Sequence, residues 1–148
     1  MIKIGDKAPE INSIDQNGEK ITLKQFLGKK IILYFYPKDM TPGCTAQSCN
    51  LRDNYQQLLD SGYVVLGCSA DSPEKHQKFI EKYDLPFPLI SDQSKEVLNK
   101  YGVWALKKFM GKEYMGILRT TFVIDENGII EDIITKVKTK EHTSQILR

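Results

Sequence analysis

The chain has 148 residues, of which 41% are hydrophobic and 27% charged, and its formal net charge is +2. This length and composition are typical of one globular domain with a buried core, and we expect residues 1–148 to form a single domain. The small net charge argues against a nucleic-acid-binding surface, and the longest apolar runs, "IILYFY" and "YVVLGC", are too short to span a bilayer.

The start of the chain, "MIKIGDKAPE", lacks the apolar segment of a secretory signal. The chain has three cysteines, an odd number that cannot all pair with one another. We therefore expect a cytoplasmic protein with free thiols and with no nucleic-acid or membrane partner.

The first half of the chain predicts a hairpin, a strand and a long helix. Asn17-Gly18 lies between two short extended pieces in "INSIDQNGEKITL", which is a hairpin pattern. The apolar run "KKIILYFY" predicts a strand that is buried on both faces. The segment "TPGCTAQSCNLRDNYQQLLDSG" predicts a helix, with Thr41 at the N-cap, Pro42 at the first helical position and Gly62 at the end.

The second half alternates further strands and helices. "YVVLGCS" and "FPLISD" predict strands, and "SPEKHQKFIEKYD", "SKEVLNKYG" and "TKEHTSQILR" predict helices. Asn127-Gly128 predicts a hairpin, whereas "VWALKKFMGKEYMGIL" is expected to be an irregular basic loop. This order predicts an α/β sandwich with a central mixed sheet and a parallel crossover between the first two buried strands. Ligands bind such sheets beyond the carboxyl ends of their strands.

Cys44 lies at that end of the predicted sheet. If Thr41 is the N-cap, Cys44 is the third residue of the helix. It then faces free backbone N–H groups and the positive end of the helix dipole, both of which stabilise a thiolate.

Cys49 follows five residues after Cys44 on the same predicted helix. On an ideal helix the Cα atoms of such a pair are about 8.6 Å apart. A disulfide requires Cα atoms within about 7 Å, so the pair can bond only if the first turns unwind. The alternative is that the two cysteines are small apolar residues with no shared role. A zinc site is not predicted, because only His76 and His142 could supplement the thiols and neither is suitably spaced.

The segment "PKDMTPGCT" resembles the active-site segment of the peroxiredoxins, with Pro37, Thr41 and Cys44 at the spacing of that family. The second cysteine five residues later is similar to the bacterioferritin-comigratory (Q-type) subgroup. The resemblance extends through "GDKAPE", "SADSPEKHQKFIEKYDLPFPLISD" and "YMGILRTTFVID". Gln47 stands where many relatives carry Glu, and Met40 lies at a variable position beside the pocket.

The resemblance implies a thioredoxin-like fold and a thiol peroxidase that reduces hydrogen peroxide and organic hydroperoxides without a cofactor. It implies that Cys44 attacks the peroxide and becomes a sulfenic acid, that Cys49 resolves it as an intramolecular disulfide, and that thioredoxin reduces the disulfide. It also implies that Thr41 and Arg119 bind the thiolate and the peroxide, and that Pro37 shields the pocket. We expect a monomer, with a weak dimer as the alternative.

Cleavage of an O–O bond requires hydrogen-bond donors directed at the departing oxygen. The candidate donors are the N–H groups of Gly43 and Cys44, the Thr41 hydroxyl and the Arg119 guanidinium. Arg119 immediately precedes the apolar strand "TTFVI", so it could lie at a sheet end near Cys44.

Three further residues and the basic loop are expected to have no catalytic role. We expect Cys68 to be an inert buried thiol, His76 to face solvent, Trp104 to pack, and the basic loop to be solvated.

The sequence leaves two further functions open: a thiol–disulfide oxidoreductase and a non-enzymatic holdase. Against the first, resembling thioredoxins have two residues between their cysteines and a cis-proline opposite them. Here the gap is four residues, and "LRTTF" has no proline.

Overall fold

The computed structural model describes residues 1–147. Nine strands are present in this part of the chain: β1 (Asn12–Ile14), β2 (Lys20–Thr22), β3 (Lys30–Phe35), β4 (Tyr63–Ser69), β5 (Leu89–Ser91), β6 (Trp104–Phe109), β7 (Lys112–Ile117), β8 (Thr120–Ile124) and β9 (Ile130–Ile134). Seven of them form one sheet in the spatial order β2-β1-β5-β4-β3-β8-β9. Strands β3, β4 and β5 are parallel, and the remaining pairs are antiparallel, so the sheet is mixed.

The helices of the described chain are α1 (Pro42–Asp53), α2 (Tyr55–Asp60), α3 (Pro73–Tyr83), α4 (Glu96–Lys100) and α5 (His142–Ile146), with a 3₁₀ turn at Leu23–Phe26. Within residues 1–147, no helix combines the length and apolar character needed to cross a lipid bilayer.

Strand β3 lies inside the sheet, between β4 and β8. Its alternate residues contribute to two hydrophobic cores, because successive side chains of a strand point to opposite faces. Ile31, Leu33 and Phe35 belong to the core that includes α4. Ile32 and Tyr34 belong to the core that includes α1, α2, α3 and α5. The expected strand with two buried faces is therefore confirmed.

Several local predictions are also confirmed. Asn17-Gly18 and Asn127-Gly128 lie in the turns between β1 and β2 and between β8 and β9. Ser72 caps α3 by accepting a hydrogen bond from the backbone N–H of Lys75, and Pro73 is the first residue of that helix.

Two element predictions are wrong. The segment expected to be an irregular basic loop is the antiparallel hairpin β6–β7, which turns at Met110-Gly111 with both residues at positive φ. The single helix expected over residues 41–62 is divided at Asn54, where the backbone leaves helical geometry and the side-chain amide donates to the carbonyl oxygen of Asn50. Such side-chain competition for backbone groups disfavours asparagine inside helices. The helix expected over "TKEHTSQILR" is present as the five residues of α5, and the last residue of that segment, Arg148, lies outside the described residues.

Candidate active site

Cys44 is the third residue of α1, immediately after the loop that follows β3. Its side chain is 1% exposed. The guanidinium of Arg119 donates a hydrogen bond from Nη2 to the Cys44 Sγ atom over 3.3 Å. The structure thus brings a thiol, the start of a helix and a cation together at one point, an arrangement that stabilises negative charge on sulfur.

Arg119 reaches Cys44 because of the register of the sheet. It directly precedes β8, and the first residue of β8, Thr120, pairs with Phe35 at the end of β3. A second guanidinium nitrogen, Nη1, donates to Gln47 Oε1 over 2.7 Å. Gln47 is fully buried, and within residues 1–147 its amide nitrogen has no hydrogen-bond partner. Because this amide is neutral, it orients Arg119 and leaves the positive charge of the guanidinium uncompensated. A glutamate at this position would neutralise that charge.

The other residues of the predicted site lie around the same loop. Thr41 is the N-cap residue with extended backbone, but its side chain makes no capping hydrogen bond to α1. Its hydroxyl donates instead to the carbonyl oxygen of Lys38 over 2.8 Å. Gly43 lies so close to Arg119 that an added Cβ would be 3.2 Å from Nη2. Pro37 is half-buried and lines a groove of about 410 Å³ together with Trp104 and Tyr114.

All three cysteines are free thiols in this structure. Cys49 lies with Cys44 on the intact helix α1 and is partly exposed. Partial burial raises the pKa of the Cys49 thiol, with a nearby Asp53 acting in the same direction and Arg52 opposing it. Cys68 is fully buried in β4, as expected, and its pKa lies well above the usual value because of burial and the neighbouring Asp92. Both thiols therefore stay protonated at neutral pH.

The prediction that His76 faces solvent is wrong. The imidazole is fully buried, and its Nδ1 atom lies 2.6 Å from Asp39 Oδ2. Its Nε2 atom lies 3.0 Å from the carbonyl oxygen of Ile90. Asp39 belongs to the loop between Pro37 and Thr41, so this contact joins the active-site loop to α3. The signal was in the sequence, because His76, Phe79, Ile80 and Tyr83 share helical spacing on one face of α3.

The loop is fixed by a wider buried network. The Tyr36 hydroxyl donates to Asp39 Oδ1 over 2.6 Å, and the backbone N–H of Asp39 donates to Asp71 Oδ2 over 2.9 Å. Ser69 also donates to Asp71 over 2.7 Å. Asp39, Asp71 and His76 have ligand atoms within 4.8 Å of one another, which is metal-site geometry. However, these atoms already form hydrogen bonds within the network, so the cluster is satisfied without a metal ion. Sequence reasoning missed this network.

Comparison with known proteins identifies the family. The model of the AhpC/TSA family matches residues 4–133. Peroxiredoxin Bcp of Bacillus subtilis is 47% identical over 147 residues, covering 99% of this chain and 94% of the relative. The chain belongs to the peroxiredoxins. Peroxiredoxin Bcp of Escherichia coli matches this peroxiredoxin with 48% identity over 146 residues, again covering 99% of this chain and 94% of the relative.

Solved structures resemble the peroxiredoxin over nearly all of its length. The bacterioferritin comigratory protein of Xanthomonas campestris, which has alkyl peroxide reduction activity, matches with a TM-score of 0.86 and 31% identity over 93% of this chain and 87% of that protein. Peroxidoxin BcpB of Mycobacterium tuberculosis matches with a TM-score of 0.88 and 33% identity over 99% of this chain and 95% of that protein. The expected thioredoxin-like fold is confirmed, and the peroxiredoxin is a thiol peroxidase.

Proposed function

We propose that this peroxiredoxin reduces hydrogen peroxide and organic hydroperoxides with Cys44 as the peroxidatic residue. The observation that carries the proposal is the 3.3 Å contact between Arg119 Nη2 and Cys44 Sγ at the start of α1. Within residues 1–147, Cys44 is the one cysteine whose sulfur accepts a hydrogen bond from a guanidinium. The raised pKa values of Cys49 and Cys68 favour the protonated thiol at those two positions.

In the first step the Cys44 thiolate attacks one oxygen of the peroxide, and the O–O bond breaks. The attacked oxygen and its hydrogen stay on sulfur as a sulfenic acid, and the other oxygen leaves as an alkoxide or hydroxide that takes a proton to become an alcohol or water. Negative charge therefore moves from sulfur to the departing oxygen. Arg119 and the N–H groups of Gly43 and Cys44 would stabilise that charge, and donors placed in this way can accelerate a reaction by about 10²–10³ each.

Thr41 and Pro37 are proposed to shape the pocket. The Thr41 hydroxyl gives its own hydrogen to Lys38, so it would act toward the substrate as an acceptor for the O–H group of the hydroperoxide. Pro37 has no N–H group and is half-buried beside the loop, which suits a residue that keeps water from the reacting thiolate.

Cys49 is proposed to resolve the sulfenic acid. Its sulfur attacks the Cys44 sulfur, the S–O bond breaks, and the oxygen leaves as water, giving an intramolecular disulfide. Because both cysteines lie on the intact α1, their Cα atoms are about 8.6 Å apart in ideal geometry, beyond the limit of about 7 Å for a disulfide. The first turns of α1 would therefore have to unwind.

Thioredoxin is the proposed reductant of that disulfide, since Cys49 is partly exposed and would be reachable by an external dithiol. We further propose that residues 1–148 act as one domain, as a monomer, in the cytoplasm, where reducing systems keep thiols free.

The test is peroxide consumption with thioredoxin and its reductase as the electron source. Cys44→Ser should abolish consumption, whereas Cys68→Ala should retain it, because Cys68 is buried in β4. Cys49→Ser should form the sulfenic acid but fail to turn over with thioredoxin. Full activity of Cys44→Ser would contradict the proposal.

A further inference from the structure

We propose that the hydrogen bond between Tyr34 and Ser48 holds α1 in its helical form and sets the rate of the disulfide-forming step. This inference rests on the function proposed above. The two hydroxyl oxygens are 2.9 Å apart, and both side chains are fully buried. Ser48 lies in the sequence between Cys44 and Cys49, the segment that must unwind for the disulfide to form.

Two buried side chains hold that segment in place. Gln47 accepts a hydrogen bond from Arg119, which also donates to the Cys44 sulfur, so this contact belongs to the proposed peroxide site. Ser48 forms a hydrogen bond with Tyr34. Within the described chain, Tyr34 forms no hydrogen bond with Cys44. The Tyr34–Ser48 hydrogen bond can therefore affect the unwinding of α1 although neither residue belongs to the proposed peroxide site.

Tyr34 cannot follow the helix when it moves. Tyr34 belongs to β3, an interior strand of the sheet that is paired on both sides. The Tyr34 ring stacks on Tyr36 at 5.3 Å between centroids and meets the edge of Phe87 at 6.0 Å. Unwinding of α1 would thus break the bond, and a buried hydroxyl that loses its partner is costly.

The part of α1 that follows Cys49 is held by the side chain of Asn50. The Asn50 amide donates to the carbonyl oxygen of Lys140 over 2.9 Å, and its oxygen accepts the N–H of Thr143 over 2.8 Å. The helix is therefore anchored to the C-terminal segment directly after Cys49. Unwinding is confined to the turns before Asn50, and Cys44 moves toward Cys49 instead of the reverse.

The Tyr34–Ser48 bond also affects a competing reaction. The sulfenic acid on Cys44 either condenses with the Cys49 thiol and releases water, or reacts with a second peroxide, which transfers an oxygen to sulfur to give a sulfinic acid and leaves as alcohol or water. A bond that slows unwinding slows only the first path. Tyr34 and Ser48 are thus positioning residues that set how much peroxide the enzyme tolerates.

The test uses Tyr34→Phe and Ser48→Ala in the full chain, with Tyr101→Phe as the matched control. Tyr101 loses a hydroxyl that donates to the Pro9 carbonyl oxygen over 2.6 Å, so the same chemical change is made at a buried site remote from α1. Reduced protein is mixed with hydrogen peroxide, quenched with acid at successive times and alkylated. Mass spectrometry then gives the separate rates of sulfenic acid and disulfide formation.

In both test variants the disulfide should form about fivefold faster or more, because a buried hydroxyl is left without its partner in the helical state. Sulfenic acid formation should change by less than about twofold, and the peroxide concentration that produces half-maximal sulfinic acid should rise in parallel. Tyr101→Phe should leave both rates unchanged. Ser48→Ala is the stricter test, since alanine favours the helix and would by itself slow unwinding.

Disulfide rates in Tyr34→Phe and Ser48→Ala equal to that of the unsubstituted chain would overturn the inference while leaving the proposed function intact. If Tyr34→Phe does not fold, Ser48→Ala deletes the same bond from the helix side and decides the question. Failure of Cys44 to form a sulfenic acid in the unsubstituted chain would instead contradict the proposed function itself, and the inference with it.

Discussion

Arg119 and Cys44 are 75 residues apart in the sequence, yet a guanidinium nitrogen of Arg119 donates to the Cys44 sulfur over 3.3 Å. The antiparallel pairing of β3 and β8 produces this contact, since it places the residue before Thr120 beside the end of β3. Gln47 holds the other arm of the same guanidinium. The positions of both guanidinium nitrogens are therefore fixed, Nη2 by the Cys44 sulfur and Nη1 by the Gln47 side chain.

Arg119→Lys should slow sulfenic acid formation on Cys44 by about 10²-fold, although the positive charge is kept. Lysine has a single ammonium group and cannot bind Cys44 and Gln47 together in the planar geometry of a guanidinium, and loss of one such donor typically costs about 10²–10³ in rate. The rate is measured by rapid quenching with hydrogen peroxide in excess. A rate within a factor of about two of the unsubstituted enzyme would show that charge alone is sufficient.

Gly43→Ala should reduce peroxide reactivity without reducing stability. An added Cβ would lie 3.2 Å from Arg119 Nη2 and 4.0 Å from Thr139 Cγ2, so the guanidinium must move by a few tenths of an ångström. Alanine has a higher helix propensity than glycine by about 1 kcal/mol, which favours α1. We expect the rate of sulfenic acid formation to fall about tenfold while the midpoint of urea unfolding stays level or rises. An unchanged rate would mean that Arg119 tolerates the displacement.

His76→Ala should destabilise the folded protein by about 3–5 kcal/mol, because it leaves Asp39 buried without its imidazole partner. It should also slow the peroxide reaction, since Asp39 fixes the loop that contains Pro37 and Thr41. Urea unfolding of the reduced protein gives the free energy of unfolding.

The matched control for this prediction is Glu10→Ala. Glu10 forms an exposed ion pair with Lys24 at 3.8 Å. Its loss should change the free energy of unfolding by less than about 1 kcal/mol, as for other surface pairs. Equal effects of the two substitutions would contradict a structural role for the buried pair.

His142 should make the folded state sensitive to acid. Burial lowers the pKa of this imidazole, and the neighbouring Arg119 acts in the same direction, although the hydrogen bond to Gln145 opposes both. Its contacts fit the neutral ring, because Nδ1 donates to Gln145 Oε1 over 2.9 Å and Nε2 accepts from the Thr121 hydroxyl over 2.8 Å.

Since the folded-state pKa of His142 is depressed, its contribution to stability is present above the unfolded-state value of about 6.5 and is lost as the pH falls below it. Urea unfolding at about pH 7.5 and about pH 5.5 should therefore show a smaller acid-induced loss for His142→Asn than for the unsubstituted chain. Equal losses in the two proteins would show that His142 does not contribute to acid sensitivity.

The sequence predicted the parts of the molecule that are governed by local rules. The double-faced burial of β3, the two hairpin turns at asparagine–glycine pairs and the cap of α3 at Ser72 follow from composition and spacing alone. The position of Cys44 at the start of α1 followed from Thr41 and Pro42, so the candidate nucleophile could be placed without coordinates.

Other features depend on contacts that periodicity does not encode. The hairpin β6–β7 was missed because Leu106 and Phe109 are exposed and flank two consecutive lysines, so the segment has no alternating burial pattern. The Asp39–His76 pair joins residues 37 positions apart, so only the tertiary fold reveals it. The same holds for the Thr41 hydroxyl, which binds the Lys38 carbonyl oxygen and does not cap α1.

The most direct test of Cys44 as the peroxidatic residue and Cys49 as the resolving residue is the intact mass of the reduced protein after one equivalent of hydrogen peroxide, followed by thiol counting and peptide mapping. We expect a loss of two hydrogens, with a disulfide that maps to Cys44 and Cys49 and with Cys68 still a free thiol. A sulfenic acid that persists on Cys44 beside an unreacted Cys49, or a disulfide that excludes Cys44, would contradict these roles.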